Sequence, residues 1–138
     1  MRLYECKLTR IGLMESGKEK KLTESYLVDA LTVCEAVTAF EAEMGKLFRD
    51  YETLSVKRTN FSEFVDNEGD KFYKVKYNLL SIDERTGAEI KNAYHLIMRS
   101  TDIHAAKQQF DEYVKTWVVD VDLESISETK IVDIVNKG

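Results

Sequence analysis

The sequence contains no proline, and only 6 glycines, 2 cysteines and 2 histidines in 138 residues. Each scarcity removes a class of protein. Without proline there is no polyproline segment and no stiff proline-rich linker. The glycines are scattered, so no glycine-rich loop can cradle phosphate and no G-x-S-x-G elbow can carry a nucleophile. Two cysteines cannot build a disulfide framework. Neither His95 nor His104 has a second His or Cys at a metal-ligand spacing. No stretch approaches the ~20 apolar residues of a membrane-spanning helix, and the opening MRLYECK has no apolar run of the kind a signal peptide needs. These absences lead to the expectation of a soluble, cytoplasmic protein with no membrane partner. An excess of positive charge is missing too. At a net −5 the chain cannot grip nucleic acid with its whole surface, so any such binding must use a local basic face.

What is present is enough to build a core. Hydrophobic residues make up 43% of the chain, with 7 Tyr, 6 Phe and 1 Trp, and this length suits a single domain over residues 1–138. Tyr4, Cys6 and Leu8 alternate with Glu5, Lys7 and Thr9, the pattern of a half-buried strand. ESGKEK supplies a turn and LTESYLVDAL a return strand, which makes a hairpin. Thr32, followed three residues later by Glu35, is a capping-box start for a helix with Ala36, Phe40, Met44 and Leu47 on one face. YETLSVKRT is a further strand, with Leu54 and Val56 expected inward.

The second half repeats this order. Tyr73, Val75, Tyr77 and Leu79 alternate with Lys74, Lys76 and Asn78; DERTGAE turns; AYHLIMRS returns; Asp102 caps a helix bearing Ile103, Ala106, Phe110, Val114 and Trp117; VVDVDLESIS closes, and KIVDIV adds a short strand. Shifted by 69, Tyr4 meets Tyr73 and Lys7 meets Lys76. Shifted by 70, Gly17 meets Gly87, Phe40 meets Phe110, Ser55 meets Ser125, Thr59 meets Thr129 and Val65 meets Val135. Self-similarity at one period is the mark of repeats. The expected fold is therefore α+β: tandem β-β-α-β repeats, about 1–66 and 70–138, forming a mostly antiparallel sheet arrangement with two helices and pseudo-twofold symmetry. The expected core is Tyr4, Cys6, Leu8, Val28, Val33, Ala36, Phe40, Leu47, Leu54, Val56, Val75, Tyr77, Leu96, Ile103, Phe110, Val114 and Trp117.

No catalytic constellation stands out. Asp120, Asp122 and Glu124 lie on one side of a strand, which on an acidic chain describes a solvated face better than an acid–base pair. No catalytic residue, metal ligand or cofactor is expected, and the chain reads as non-enzymatic. Charge layout says more. Residues 71–77 carry Lys71, Lys74 and Lys76 with no acid, and residues 1–23 carry six bases against three acids, whereas residues 118–138 carry five acids against two bases. Lys7, Lys57, Lys74 and Lys76 fall on the outward sides of their strands. With Arg10 and Arg58 at the margin and Phe72 as a stacking platform, they outline a basic sheet face able to track single-stranded DNA or RNA. The plain alternative is a lysine face that serves solubility and edge protection.

Several segments carry a resemblance: YECK at 4–7, TESYLVDALTVCEA at 23–36, KRTNFSE at 57–63, FYKVKY at 72–77 and SISETKI at 125–131. Over nearly the whole chain, and in order, they resemble a family of small uncharacterised proteins of Bacteroidetes, their phages and mobile elements, known as a domain of unknown function. The resemblance implies a bacterial or phage setting and no activity. The sheet-plus-helix order in duplicate is also loosely similar to the PUR and Whirly single-strand binders, in architecture alone. Three functions follow as expectations. The first is single-stranded nucleic-acid binding on the basic face. The others are a protein-interaction or accessory module that docks a host or phage protein or a second copy of itself, and a small-ligand binder.

Overall fold

Among the described residues, eight strands and two helices follow one another as β1 (Leu3–Leu13), β2 (Glu19–Asp29), α1 (Val33–Leu47), β3 (Tyr51–Arg58), β4 (Phe61–Asp66), β5 (Lys71–Ile82), β6 (Glu89–Ser100), α2 (Ile103–Val114), β7 (Asp120–Glu128) and β8 (Ile131–Val135). The computed structural model describes residues 2–135; the last residues of the second repeat, 136–138, lie outside them. The strands form two four-stranded sheets, β3-β1-β2-β8 and β4-β6-β5-β7. Each sheet is antiparallel except for one parallel edge pair, β2 with β8 and β4 with β6. This is an α+β fold with two similar halves, as the repeated pattern implies.

The chain divides into two compact units. One is Phe61–Thr129; the other is built from the chain on either side of it. Each repeat is thus β-β-α-β-β: β8 is the short strand expected in KIVDIV, whereas β4 adds a strand to the first repeat that was not expected, and each last strand joins the other repeat's sheet. β4 ends the first repeat and pairs with β6, while β8 ends the second and pairs with β2.

The local causes are the same in both halves. Thr32 Oγ1 accepts from Glu35 N at 3.1 Å, and Asp102 Oδ1 accepts from Ala105 N at 2.8 Å, so each helix starts on a side-chain cap. Ala36, Phe40 and Met44, at spacing four, bury one stripe of α1 against Tyr4, Cys6, Leu8, Tyr26 and Val28. Ala106 and Phe110 do the same for α2 against Tyr73, Val75, Tyr77, Leu96 and Met98. Thr59 donates its N–H and its hydroxyl to Leu3 O at 2.9 and 2.8 Å, and Thr129 donates the same pair to Phe72 O at 2.8 and 2.9 Å. Gly17 (φ 82°) and Gly87 (φ 72°) hold the left-handed conformation of each hairpin turn. The second turn, 83–88, is one residue longer than the first, 14–18, which is why the repeat shift changes from 69 to 70.

The bulges repeat as well. Lys7 faces Ser55 and Leu8 faces Thr53, so Leu54 has no partner. Lys76 faces Ser125 and Tyr77 faces Leu123, so Glu124 has none. This corrects the expected core. The bulge turns Leu54 out, leaving it 51% exposed. Val33 and Ile103 lie in the first turns of their helices and Leu47 in a last turn, where the apolar stripe has run past the sheet; all three are exposed. Cys34, also in a first turn, is exposed, whereas Cys6 is buried and its thiol is pushed up to about 12 by burial and the nearby Glu5 carboxylate.

Candidate functional site: the helix-free sheet faces

Alternation places one face of each sheet under its helix and leaves the other free of helices. Each helix-free face is itself divided along its strands. At one end it is apolar and buried: Leu3 and Leu27 in the first unit, Phe72 and Ile97 in the second, none more than 2% exposed. Along the middle of the strands it becomes polar, before ending at the hairpin turns in exposed Ile11 and Leu13 in the first unit and Ile82 in the second. Lys7 lies in the polar stretch on β1, between Ser25 on β2 and Ser55 on β3. Lys57 faces Glu5 across the β3–β1 pair. In the second unit Lys74 lies between Ile97 and Ser127, and Lys76 between His95 and Ser125.

The four expected lysines therefore occupy helix-free faces, divided two and two between the units. Among the described residues, Lys7, Lys57 and Lys74 have no carboxylate within 4 Å. Lys76 differs: its Nζ lies 2.7 Å from Glu124 Oε2, and Asn78 Nδ2 donates to Glu124 Oε1 at 3.4 Å. These two donors, Lys76 first, hold the Glu124 carboxyl below the usual range.

The remaining expected residues lie elsewhere. Arg10 is on the helix side of β1, where it clamps Glu24 through two bonds of 2.7 and 3.2 Å and sets its guanidinium 4.6 Å from the Phe48 ring centroid. Arg58 pairs with Tyr4, so it too belongs to the helix side of its strand, at an exposed position. Phe72 is on the expected face but is 2% exposed. Phe64 of β4 stacks on it at 6.1 Å and the Arg99 guanidinium sits 5.9 Å from its centroid, so its ring offers no surface for a base. Sequence reasoning passed over Lys21 of β2, which faces Ile11 of β1 and shares the helix-free face with Lys7. Alternation in EKKLTESYLVD, counted back from Tyr26, is the signal that finds it.

A second cluster lies under α2. Tyr77 stacks with Tyr94 at 5.8 Å, and its ring meets those of Phe110 at 5.4 Å and Trp117 at 6.0 Å. Trp117 also meets Tyr113 edge-on at 5.5 Å. The Tyr113 hydroxyl donates to Glu63, and burial, then this bond, push its pKa up. Among the described residues no group of three or more His, Cys, Asp or Glu could hold a metal ion, and no helix is long and apolar enough to cross a membrane.

Duplicated β-β-α-β-β repeats that exchange their last strands, with lysines on helix-free faces, define the class: a two-unit α+β protein whose polar sheet surface bears exposed cations. The chain belongs to the family described as a domain of unknown function, DUF4494, whose model matches residues 2–137. No curated protein and no solved structure matches it.

Proposed function

We propose that the protein is a non-enzymatic binding module that holds single-stranded nucleic acid on its helix-free sheet faces. One observation carries the reading: among the described residues, Lys7, Lys57 and Lys74 are exposed there with no carboxylate within 4 Å, and Lys7 and Lys74 lie beside Ser25, Ser55 and Ser127. Exposed lysines without a carboxylate in ion-pair contact, near serine hydroxyls, suit phosphate oxygens. The strand edges support a facial site over strand addition, because β3 and β7 each carry a bulge and β4 and β8 are short, all devices that blunt an edge. The setting is the cytoplasm of a bacterial cell, in proteins of Bacteroidetes, their phages or mobile elements, and self-association is compatible with it.

Fluorescence anisotropy with mixed-sequence single-stranded DNA and RNA tests the reading. Three or four lysine contacts give a log–log salt slope of about −2 to −3, at about −0.7 per contact. Lys7→Glu with Lys57→Glu flattens it by more than one and leaves folding intact. Absence of any anisotropy change at low salt and tens of micromolar protein overturns the reading. The protein-docking alternative then takes its place, supported by exposed apolar residues at equivalent hairpin ends, Leu13 at 79% and Ile82 at 71% exposure.

A further inference from the structure

The two helix-free faces start from the same backbone and differ at the bulge. In the second unit the unpaired bulge residue is Glu124, which reaches Lys76 Nζ at 2.7 Å and Asn78 Nδ2 at 3.4 Å. In the first unit the equivalent bulge residue is Leu54, and the lysine equivalent to Lys76 is Lys7, which has no carboxylate within 4 Å among the described residues. A carboxylate seated on an ammonium and an amide N–H₂ uses the donors a phosphate oxygen would use. We propose that Glu124 is a built-in counter-anion that occupies Lys76 and Asn78, so that Lys76 on the second unit's face is weakened for polyanions while its equivalent Lys7 on the first unit's face, with Leu54 at that place, is open.

This rests on the binding reading above, and it makes the repeats unequal partners in it. Lys7 and Lys57 carry the contacts of the first unit and Lys74 those of the second, where Lys76 contributes only when Glu124 is removed. Competition by an exposed ion pair is small in absolute terms, up to about fivefold in an equilibrium constant. The same pairing withholds the Lys76 amine from reagents in solution, whereas Lys74, two residues away on the same strand and with no carboxylate within 4 Å among the described residues, is an internal control.

Two measurements on the full chain test the proposal. The first needs no ligand: limited acetylation followed by peptide mass spectrometry. In the unmodified protein Lys76 should react up to about fivefold more slowly than Lys74, and in Glu124→Leu the two rates should converge. Equal rates in the unmodified protein overturn the proposal. The second uses fluorescein-labelled oligothymidylate. Glu124→Leu should tighten binding up to about fivefold and steepen the salt slope by about 0.7. Lys76→Glu should matter little in the unmodified chain but reverse that gain in Glu124→Leu. Leu54→Glu, which places a carboxylate beside Lys7, should weaken binding. If the unmodified protein binds and Glu124→Leu changes neither affinity nor slope, the counter-anion role fails and the binding reading stands. If no variant binds, both fail.

Discussion

The two units share a skeleton but not a chemistry. Caps, turn glycines, the threonine clasp on Leu3 or Phe72 and the bulge beside the lysine recur at equivalent places. Side chains around the helix do not. Leu8, Glu24, Glu43 and Leu47 of the first unit correspond to Tyr77, Tyr94, Tyr113 and Trp117 of the second. The first unit therefore packs a charged clamp, Arg10–Glu24 with the Tyr26 hydroxyl donating to Glu24 at 3.3 Å, where the second packs a ring cluster. What the repeats keep is what fixes backbone geometry. What they vary is what decides polarity, and that is where a duplicated fold can separate its halves in function.

Substitutions that strike both units equally test the shared part. Phe40 and Phe110 are 0% and 1% exposed, and changing either to Ala should cost roughly 3–5 kcal/mol through the cavity left under its helix. Chemical denaturation followed by far-UV dichroism checks the size. Because Trp117 is the single tryptophan and lies in the second unit, its fluorescence assigns the Phe110→Ala loss. A loss below about 1 kcal/mol at either site would show that the stripes are not equivalent.

A position without a counterpart comes next. Gly69 sits before β5 at φ 139°, and a Cβ there would lie 2.4 Å from the Ser100 carbonyl carbon and oxygen. Gly69→Ala should cost more than the ~1–2 kcal/mol of a left-handed residue alone, because backbone atoms must move. Thermal melts of Gly69→Ala beside Gly87→Ala, whose Cβ meets open space, read the difference.

Alkali probes the chemistry that differs. Burial, then the adjacent Glu24 carboxylate, raises Tyr26 to about 12 from its ordinary value of 10.0. The fold favours the protonated phenol, so its contribution is complete below about pH 10 and is lost as pH rises toward about 12. Tyr26→Phe should remove one part of the first unit's alkaline loss and leave the parts set by Cys6 in that unit and by Tyr73, Tyr77 and Tyr113 in the second, which titrating stability between pH 9 and 12 would reveal. The smallest effect belongs to Thr9, whose buried hydroxyl has no hydrogen-bond partner among the described residues. Thr9→Val should be neutral or stabilising by up to about 1 kcal/mol in denaturation.

Much of this architecture is legible in the sequence. The alternation in LYECKL and FYKVKY, the caps at Thr32 and Asp102 and the shift of 69 to 70 lead to the strands, the helices and the duplication. β4 is hidden because NFSEFVD has no clean alternation, yet the same shift lays 61–65 on IVDIV at 131–135 and finds it. Missing β4 also misplaced Phe72, since Phe64 on that strand is what stacks on its ring. Leu54 was misread because a bulge breaks the period of two that makes strands readable. The lysine faces follow from alternation; the ion pairs that silence Arg10 and Lys76 depend on cross-strand neighbours no single strand reveals.

The exchange of last strands is the claim on which the account turns, and one measurement reaches it. Hydrogen exchange by mass spectrometry on a chain ending at Thr129 removes β8, which follows β7 in sequence but pairs with β2 through Ser25, Tyr26, Leu27 and Val28. The account predicts lost protection in β2, about a hundred residues from the cut by ~3.8 Å chain steps, with β5, β6 and β7 still protected. Loss of protection centred on β7, with β2 unchanged, would contradict it.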